Sequence, residues 1–151
     1  MITTLKANTA VGYFRVSDPK QTGERHSSLD TQEARYLNYC KQHNLIPITT
    51  FTDVQTGRRD DRKEYGRMVE FVKQGGADFI IVQWLDRFGR HPKEILRRYW
   101  ELEDLGISVV PTDEDIKEEL VLLIKAGVAG AESAIRLGFL SVTGLGEATA
   151  K

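Results

Sequence analysis

Arg15 and Ser17 stand two positions apart in the stretch VGYFRVSDPKQ, residues 11–21. On a strand successive side chains point to opposite faces, so Val11, Tyr13, Arg15 and Ser17 share one face while Phe14 and Val16 take the other. Asp18 and Pro19 then break the strand, leaving a fixed cation beside a hydroxyl at its end. Taken alone, the pair reads as an ordinary solvated strand end. More guanidinium groups follow: Arg58, Arg59 and Arg62 in DVQTGRRDDRKE, and Arg87 and Arg90 beside Asp86 in LDRFGR. Several arginines around one serine suit a phosphate, because guanidinium forks match phosphate oxygens and stabilise charge that develops in phosphoryl transfer. Arginine, with a pKa above about 12, takes no proton from a serine. Of His26, His43 and His91, only His91 follows a strand closely, and before Pro92 it reads as a helix-start residue. A nucleophile elbow has the form G-x-S-x-G and a nucleotide-binding domain has a glycine-rich first loop. SDPKQTGERHSS is neither.

Positioning these groups takes a framework, and hydrophobic runs alternate with punctuation along the chain to supply one. The pattern predicts strands near 10–17, 45–52, 77–85 and 107–111, with helices near 28–44, 62–74, 91–105 and 116–140. Strands alternating with helices predict an α/β fold, a mainly parallel sheet covered by helices on both faces. In such sheets the carboxyl ends of the strands line one edge, where ligands bind. Arg15, Ser17, Asp86, Arg87 and Arg90 should gather there, with the charged loop carrying Arg62 leaving the same edge. Tyr65, Met68, Val69 and Val72 give one helix its apolar face; Ile95, Tyr99, Leu102 and Leu105 give the next. Ser28 is a candidate N-cap with Asp30 and Glu33 as an acidic capping pair. Gly75-Gly76 and Gly106 should end the two later helices.

Length and composition bound the answer further. The 151 residues, 40% hydrophobic and 28% charged, fit one ordinary globular domain. No apolar run approaches the roughly 20 residues that cross a bilayer, and MITTLKANTA lacks a signal-peptide core. A cytoplasmic protein without membrane partners is the expectation. The single cysteine, Cys40, reads as a core or half-buried residue, and the histidines show no zinc-ligand spacing. Net charge is −1, yet residues 56–98 carry 11 Lys or Arg against 7 acids, whereas residues 99–120 carry 8 acids and only Lys117. Solvated helix faces explain Glu101, Glu103 and Asp104; a local anion site explains part of the basic segment.

In the last helix Leu120, Ile124, Val128, Ala131, Ile135 and Phe139 form a stripe interrupted by Gly127, Gly130 and Gly138. Each glycine costs a helix interior about 1 kcal/mol relative to alanine, which points to close approach of another helix. Self-association and packing on its own domain are both open readings. The tail SVTGLGEATAK has the composition of a linker or frayed terminus.

Five segments in order, YFRVS, SLDTQ, FTDVQTG with DRKEY, IIVQWLDRFGR and AESAIR, give the chain a resemblance to the catalytic domain of the serine site-specific recombinases, the resolvase and invertase family. It runs from about residue 10 to 140. The resemblance implies a resolvase-like catalytic domain over 1–115, a long dimerisation helix over 116–140, and a tail over 141–151 leading to a DNA-binding region. It implies Ser17 as the nucleophile that attacks a DNA phosphodiester, forming a 5′-phosphoserine linkage and a free 3′ hydroxyl. Arg15, Arg62, Arg87 and Arg90 fall on the family's phosphate-activating arginines, with Asp86 as their acidic partner. Gln21, Gln32, Asp53 and Lys73 match supporting positions, Lys73 also reading as a solvated helix lysine; Arg58 and Arg59 have no counterpart assigned by the resemblance and read as DNA-backbone contacts or loop charges. Double-stranded DNA, a homodimer and a synaptic homotetramer are the implied partners, with Leu120, Ile124, Val128, Ala131 and Ile135 on the oligomerisation face. Because a phosphoserine ester keeps the strand's bond energy for religation, neither metal, ATP nor other cofactor is expected. The acidic PTDEDIKEEL departs from the family's serine- and glycine-bearing connector. A serine transposase of the same fold, a non-catalytic dimerisation or regulatory module and a phosphate-ester hydrolase are the competing readings.

Overall fold

The computed structural model describes residues 8–17, 27–55 and 62–130. The elements run β1 (Thr9–Ser17), α1 (Leu29–Gln42), β2 (Ile46–Gln55), α2 (Lys63–Lys73), β3 (Phe79–Val82), a 3-10 turn (Leu85–Phe88), α3 (Pro92–Asp104), β4 (Ser108–Pro111) and α4 (Ile116–Gly130). The four strands form one sheet in the order β2-β1-β3-β4. All of its pairings are parallel. The expected α/β architecture is therefore observed.

Helices cover both faces. Val11 and Tyr13 of β1 and Ile80 and Val82 of β3 pack with Tyr65, Met68 and Val72 of α2 and with Ile95, Tyr99 and Leu102 of α3. On the opposite face Ala10, Phe14 and Ile81 pack with Tyr36 and Cys40 of α1. The central strands thus read as continuous apolar runs, as strands buried on two sides do. The edge strand β2 is buried at Phe51, Asp53 and Gln55, alternate positions that share one face.

Local chemistry sets the helix ends. Ser28 caps α1 by accepting from the Thr31 N–H at 3.0 Å. Thr31 occupies the third helical position, so Ser28 does the capping and not the Asp30–Glu33 pair. Gly75 and Gly106 adopt positive φ just past α2 and α3, as expected, while Asn44 does so after α1. Gly12 admits the ring of Tyr36 against β1: a Cβ there would stand 2.9 Å from both Phe14 and Tyr36. The Tyr36 hydroxyl donates to the Ala10 carbonyl at 2.8 Å, beside the point where the β1–β2 register slips between Ala10 and Val11.

Two expectations are corrected here, and one open reading is narrowed. β2 runs through Gln55, so Asp53 lies inside the strand and not in the loop after it. Leu105 ends outside the apolar face of α3 and is exposed, because the chain already turns at Gly106. In α4, Leu120 and Ile124 pack against the domain's own core around the buried Leu123, and Gly127 lies against Pro92 and Lys93 of α3. A Cβ at Gly127 would meet Lys93 and Pro92 only at 3.5 and 3.9 Å, ordinary contact distances, so the neighbouring helix is α3 of the same chain and its approach does not require the glycine. The side chain of Val128, and all of Ala131, Ile135 and Phe139, lie outside the described residues. Among the described residues no helix is long and apolar enough to cross a membrane.

Candidate functional site

Among the described residues, the carboxyl ends of β1, β2 and β3 and the start of α2 bring together Arg15, Gln32, Asp53, Arg62, Asp86 and Arg87. Arg15 is 3% exposed, Arg87 3% and Arg62 8%, so these arginines are interior groups and not a solvated strand end. Burial of this kind calls for hydrogen-bond partners, and the fold supplies several of them.

Gln32, buried in α1, brackets the Arg15 peptide. Its Oε1 accepts from the Arg15 N–H at 3.1 Å and its Nε2 donates to the Arg15 carbonyl at 3.1 Å. A second bond from Nε2 reaches the Ser27 carbonyl at 3.0 Å, fixing the chain as it enters α1. Arg87 Nη1 donates to the same Arg15 carbonyl at 2.8 Å. Its Nε faces Asp86 Oδ1 at 3.3 Å, and its guanidinium lies 5.4 Å from the centre of the Trp84 ring, a cation–π distance. Arg62 Nη1 donates in turn to the Arg87 carbonyl. Each guanidinium carries five donors in a fixed fork, and the bonds named here set the direction of Arg62 and Arg87 within the cluster.

Asp53 anchors the other side. One oxygen accepts from the Glu64 N–H at 2.8 Å; the other accepts from the Tyr65 N–H at 3.0 Å and the Tyr13 hydroxyl at 2.7 Å. It therefore caps α2 from a neighbouring strand, satisfying amides that the helix cannot pair internally. The cap fixes the helix start directly after Arg62, whose Nη1 also lies 3.4 Å from the Tyr13 hydroxyl. Burial pushes the Tyr13 hydroxyl far above its ordinary range, with Arg62 pulling it down and Asp53 adding to the rise. Tyr13 is a donor here and not a base.

Other expected residues are placed differently. Ser17 closes β1 opposite Gln55 in the register; its side chain lies outside the described residues, as do Gln21, Arg58 and Arg59. Arg90 is exposed in the turn before α3, where its N–H donates to Glu94 Oε1 at 2.9 Å. Lys73 is not brought to the site. It ends α2, roughly 15 Å of helix from Arg62, and pairs with Glu70 at 3.9 Å on the solvated face.

Gln55 and Tyr13 are site residues that the sequence reading left out. Tyr13 is two positions before Arg15 and Gln55 two after Asp53, so strand parity carries the signal in both cases. The acidic connector after β4 also takes part. Asp113 accepts from Gln83 Nε2 at 2.8 Å and from Arg35 Nε at 3.1 Å, and Glu114 accepts from the Leu85 N–H at 2.7 Å. Burial pushes the Asp113 carboxyl up, but hydrogen bonds from Gln83, Thr112 and Arg35 outweigh it and hold it below its ordinary value.

Fold and site together define a parallel α/β domain with an arginine-rich cluster at the carboxyl edge of its sheet. The family model described as Resolvase, N terminal domain, matches residues 10–137, and the chain belongs to that family. It is 32% identical over 107 residues to the transposon Tn552 DNA-invertase BinR of Staphylococcus aureus, covering 70% of this chain and 48% of that one. To the Tn552 resolvase of the same organism it is 30% identical over 106 residues, covering 70% and 47%. The chain spans about half the length of the curated relatives it matches. Among solved structures it resembles the N-terminal catalytic domain of TP901-1 integrase, with a TM-score of 0.64 at 22% identity over 84% of this chain and 98% of that one. A resolvase family site-specific recombinase from Streptococcus pneumoniae gives 0.60 at 20% identity, covering 88% and 93%. The C-terminal catalytic domain of ISC1926 TnpA, an IS607-like serine recombinase, gives 0.58 at 20% identity, covering 83% and 84%. The fold is that of serine recombinase catalytic domains.

Proposed function

We propose that the chain is the catalytic domain of a DNA site-specific recombinase in which Ser17 attacks a phosphodiester. The observation that carries this reading is the burial of Arg15, Arg62 and Arg87 in one hydrogen-bonded cluster at the end of the strand that carries Ser17. A scaffold gains nothing from concentrating positive charge in its interior, where desolvation is costly; a phosphoryl-transfer site does, because such groups stabilise the transition state's equatorial oxygens.

In the proposed step the Ser17 Oγ–P bond forms as the bond from phosphorus to the 3′ oxygen breaks. The serine proton leaves, and the 3′ oxygen is protonated to a hydroxyl. One phosphodiester replaces another, so attack by a 3′ hydroxyl on the phosphoserine reverses the step and joins the strand without external energy. Arg15, Arg62 and Arg87 bind the phosphate, Asp86 orients Arg87, and Gln32 and Asp53 hold the frame. Arg90, exposed beside α3, meets the phosphate or the neighbouring DNA backbone, and Gln21 supports the serine side. Residues 1–115 form the catalytic unit and 116–140 the helix through which dimers and a synaptic tetramer assemble on double-stranded DNA.

Covalent trapping tests the reading. Protein expressed from its complete gene is incubated with source-organism DNA, denatured and proteolysed, and the Ser17 peptide is examined by mass spectrometry. A nucleotide adduct that disappears in Ser17→Ala is the expected result. DNA cleavage by Ser17→Ala at the wild-type rate overturns it.

A further inference from the structure

Gln55 is the last residue of β2, 2% exposed, and the register partner of Ser17. Its Oε1 accepts from Arg15 Nη2. Its Nε2 is buried and makes no hydrogen bond among the described residues, although buried polar groups are normally paired. An amide at this position has two consequences that a carboxylate would not. It fixes the direction of the Arg15 guanidinium without cancelling its charge, and it keeps an N–H donor next to that charge. A donor beside a guanidinium is satisfied by an oxyanion, and the strand register sets it beside the residue that carries the hydroxyl.

We propose that Gln55 positions the phosphodiester: Oε1 sets the Arg15 guanidinium while Nε2 donates to a non-bridging oxygen of the same phosphate. This inference rests on the phosphate-site reading of the arginine cluster. The two are separable with sulfate, a dianion whose charge does not change across neutral pH, titrated into the full chain and followed by nitrogen-15 NMR. In the wild type the Gln55 side-chain amide and the Arg15 Nε–H should shift along one saturation curve, and Arg87→Gln should weaken that binding at least about 10-fold, as expected when a hydrogen bond to a charged group is lost.

Gln55→Glu keeps the shape and the bond to Arg15 but removes the donor and adds a negative charge. Sulfate affinity should fall about 10-fold or more while the thermal midpoint stays close to wild type. Gln55→Met, which keeps the volume and loses both hydrogen bonds, should also weaken sulfate binding, by a smaller factor. Arg87-dependent binding in the wild type with unchanged affinity in both Gln55 variants overturns the role of Gln55 alone. A wild type that binds no sulfate, or binds it equally well in Arg87→Gln, overturns the phosphate-site reading and the Gln55 proposal with it.

Discussion

Arg87 Nη1 donates to the carbonyl oxygen of Arg15 at 2.8 Å, joining residues 72 positions apart. The bond ties the 3-10 turn after β3 to the end of β1, so one guanidinium fixes the backbone that presents the other. Gln32 grips the same peptide from α1 through both its N–H and its carbonyl. The end of β1 is thereby held from both faces of the sheet.

Arg87→Ala should slow DNA cleavage by at least about 100-fold, the scale of removing a donor to developing charge, while DNA affinity changes much less. Parallel measurements of single-turnover cleavage and of binding at fixed salt check this. Equal losses in both would reassign Arg87 to positioning the DNA backbone.

Replacing Asp53 should act on stability first. Asp53→Ala removes the acceptor for two α2 amides and the Tyr13 hydroxyl and should cost about 2–3 kcal/mol in urea unfolding, since buried donors are left without partners. The same variant should reduce sulfate binding, because α2 starts directly after Arg62. Unfolding stability equal to wild type would remove the tertiary cap from the account.

The tie between α1 and the connector after β4 should titrate. The Asp113 carboxyl is held below its ordinary value in the folded chain, so its contribution is fully present above the unfolded pKa and is lost as pH falls through the folded one. Asp113→Asn should be less stable than wild type near neutrality, and the gap should narrow in acid below the ordinary carboxylate range. Because Arg35 is half exposed, the effect should also shrink in salt. A gap that is constant with pH would contradict it.

Gly12→Ala should destabilise the α1 face. The added methyl would meet Phe14 and Tyr36 at 2.9 Å, and overpacking of this kind costs about 1–3 kcal/mol. Thermal unfolding reads the loss directly; an unchanged midpoint would mean the two rings shift at no cost.

The sequence by itself determined the elements and their order, because hydrophobic period, glycine ends and the Ser28 cap are local signals that a reader can follow residue by residue. It also determined that Arg15 and Ser17 share strand parity, since alternation is a property of the strand alone. Membership of the resolvase family was legible too, carried by five short segments in order. Only the tertiary structure decided that Arg15, Arg62 and Arg87 are interior groups, that Asp53 caps α2, that Gln55 holds Arg15, and that Lys73 stands at the far end of its helix. It likewise folded Leu120 and Ile124 of α4 back onto their own core. The bonds behind these outcomes join positions from 11 and 12 apart at the Asp53 cap to 25, 40 and 72 apart within the arginine cluster. Such pairs meet because of strand order and register, which place β1 between β2 and β3, and no local period in the chain encodes that neighbourhood.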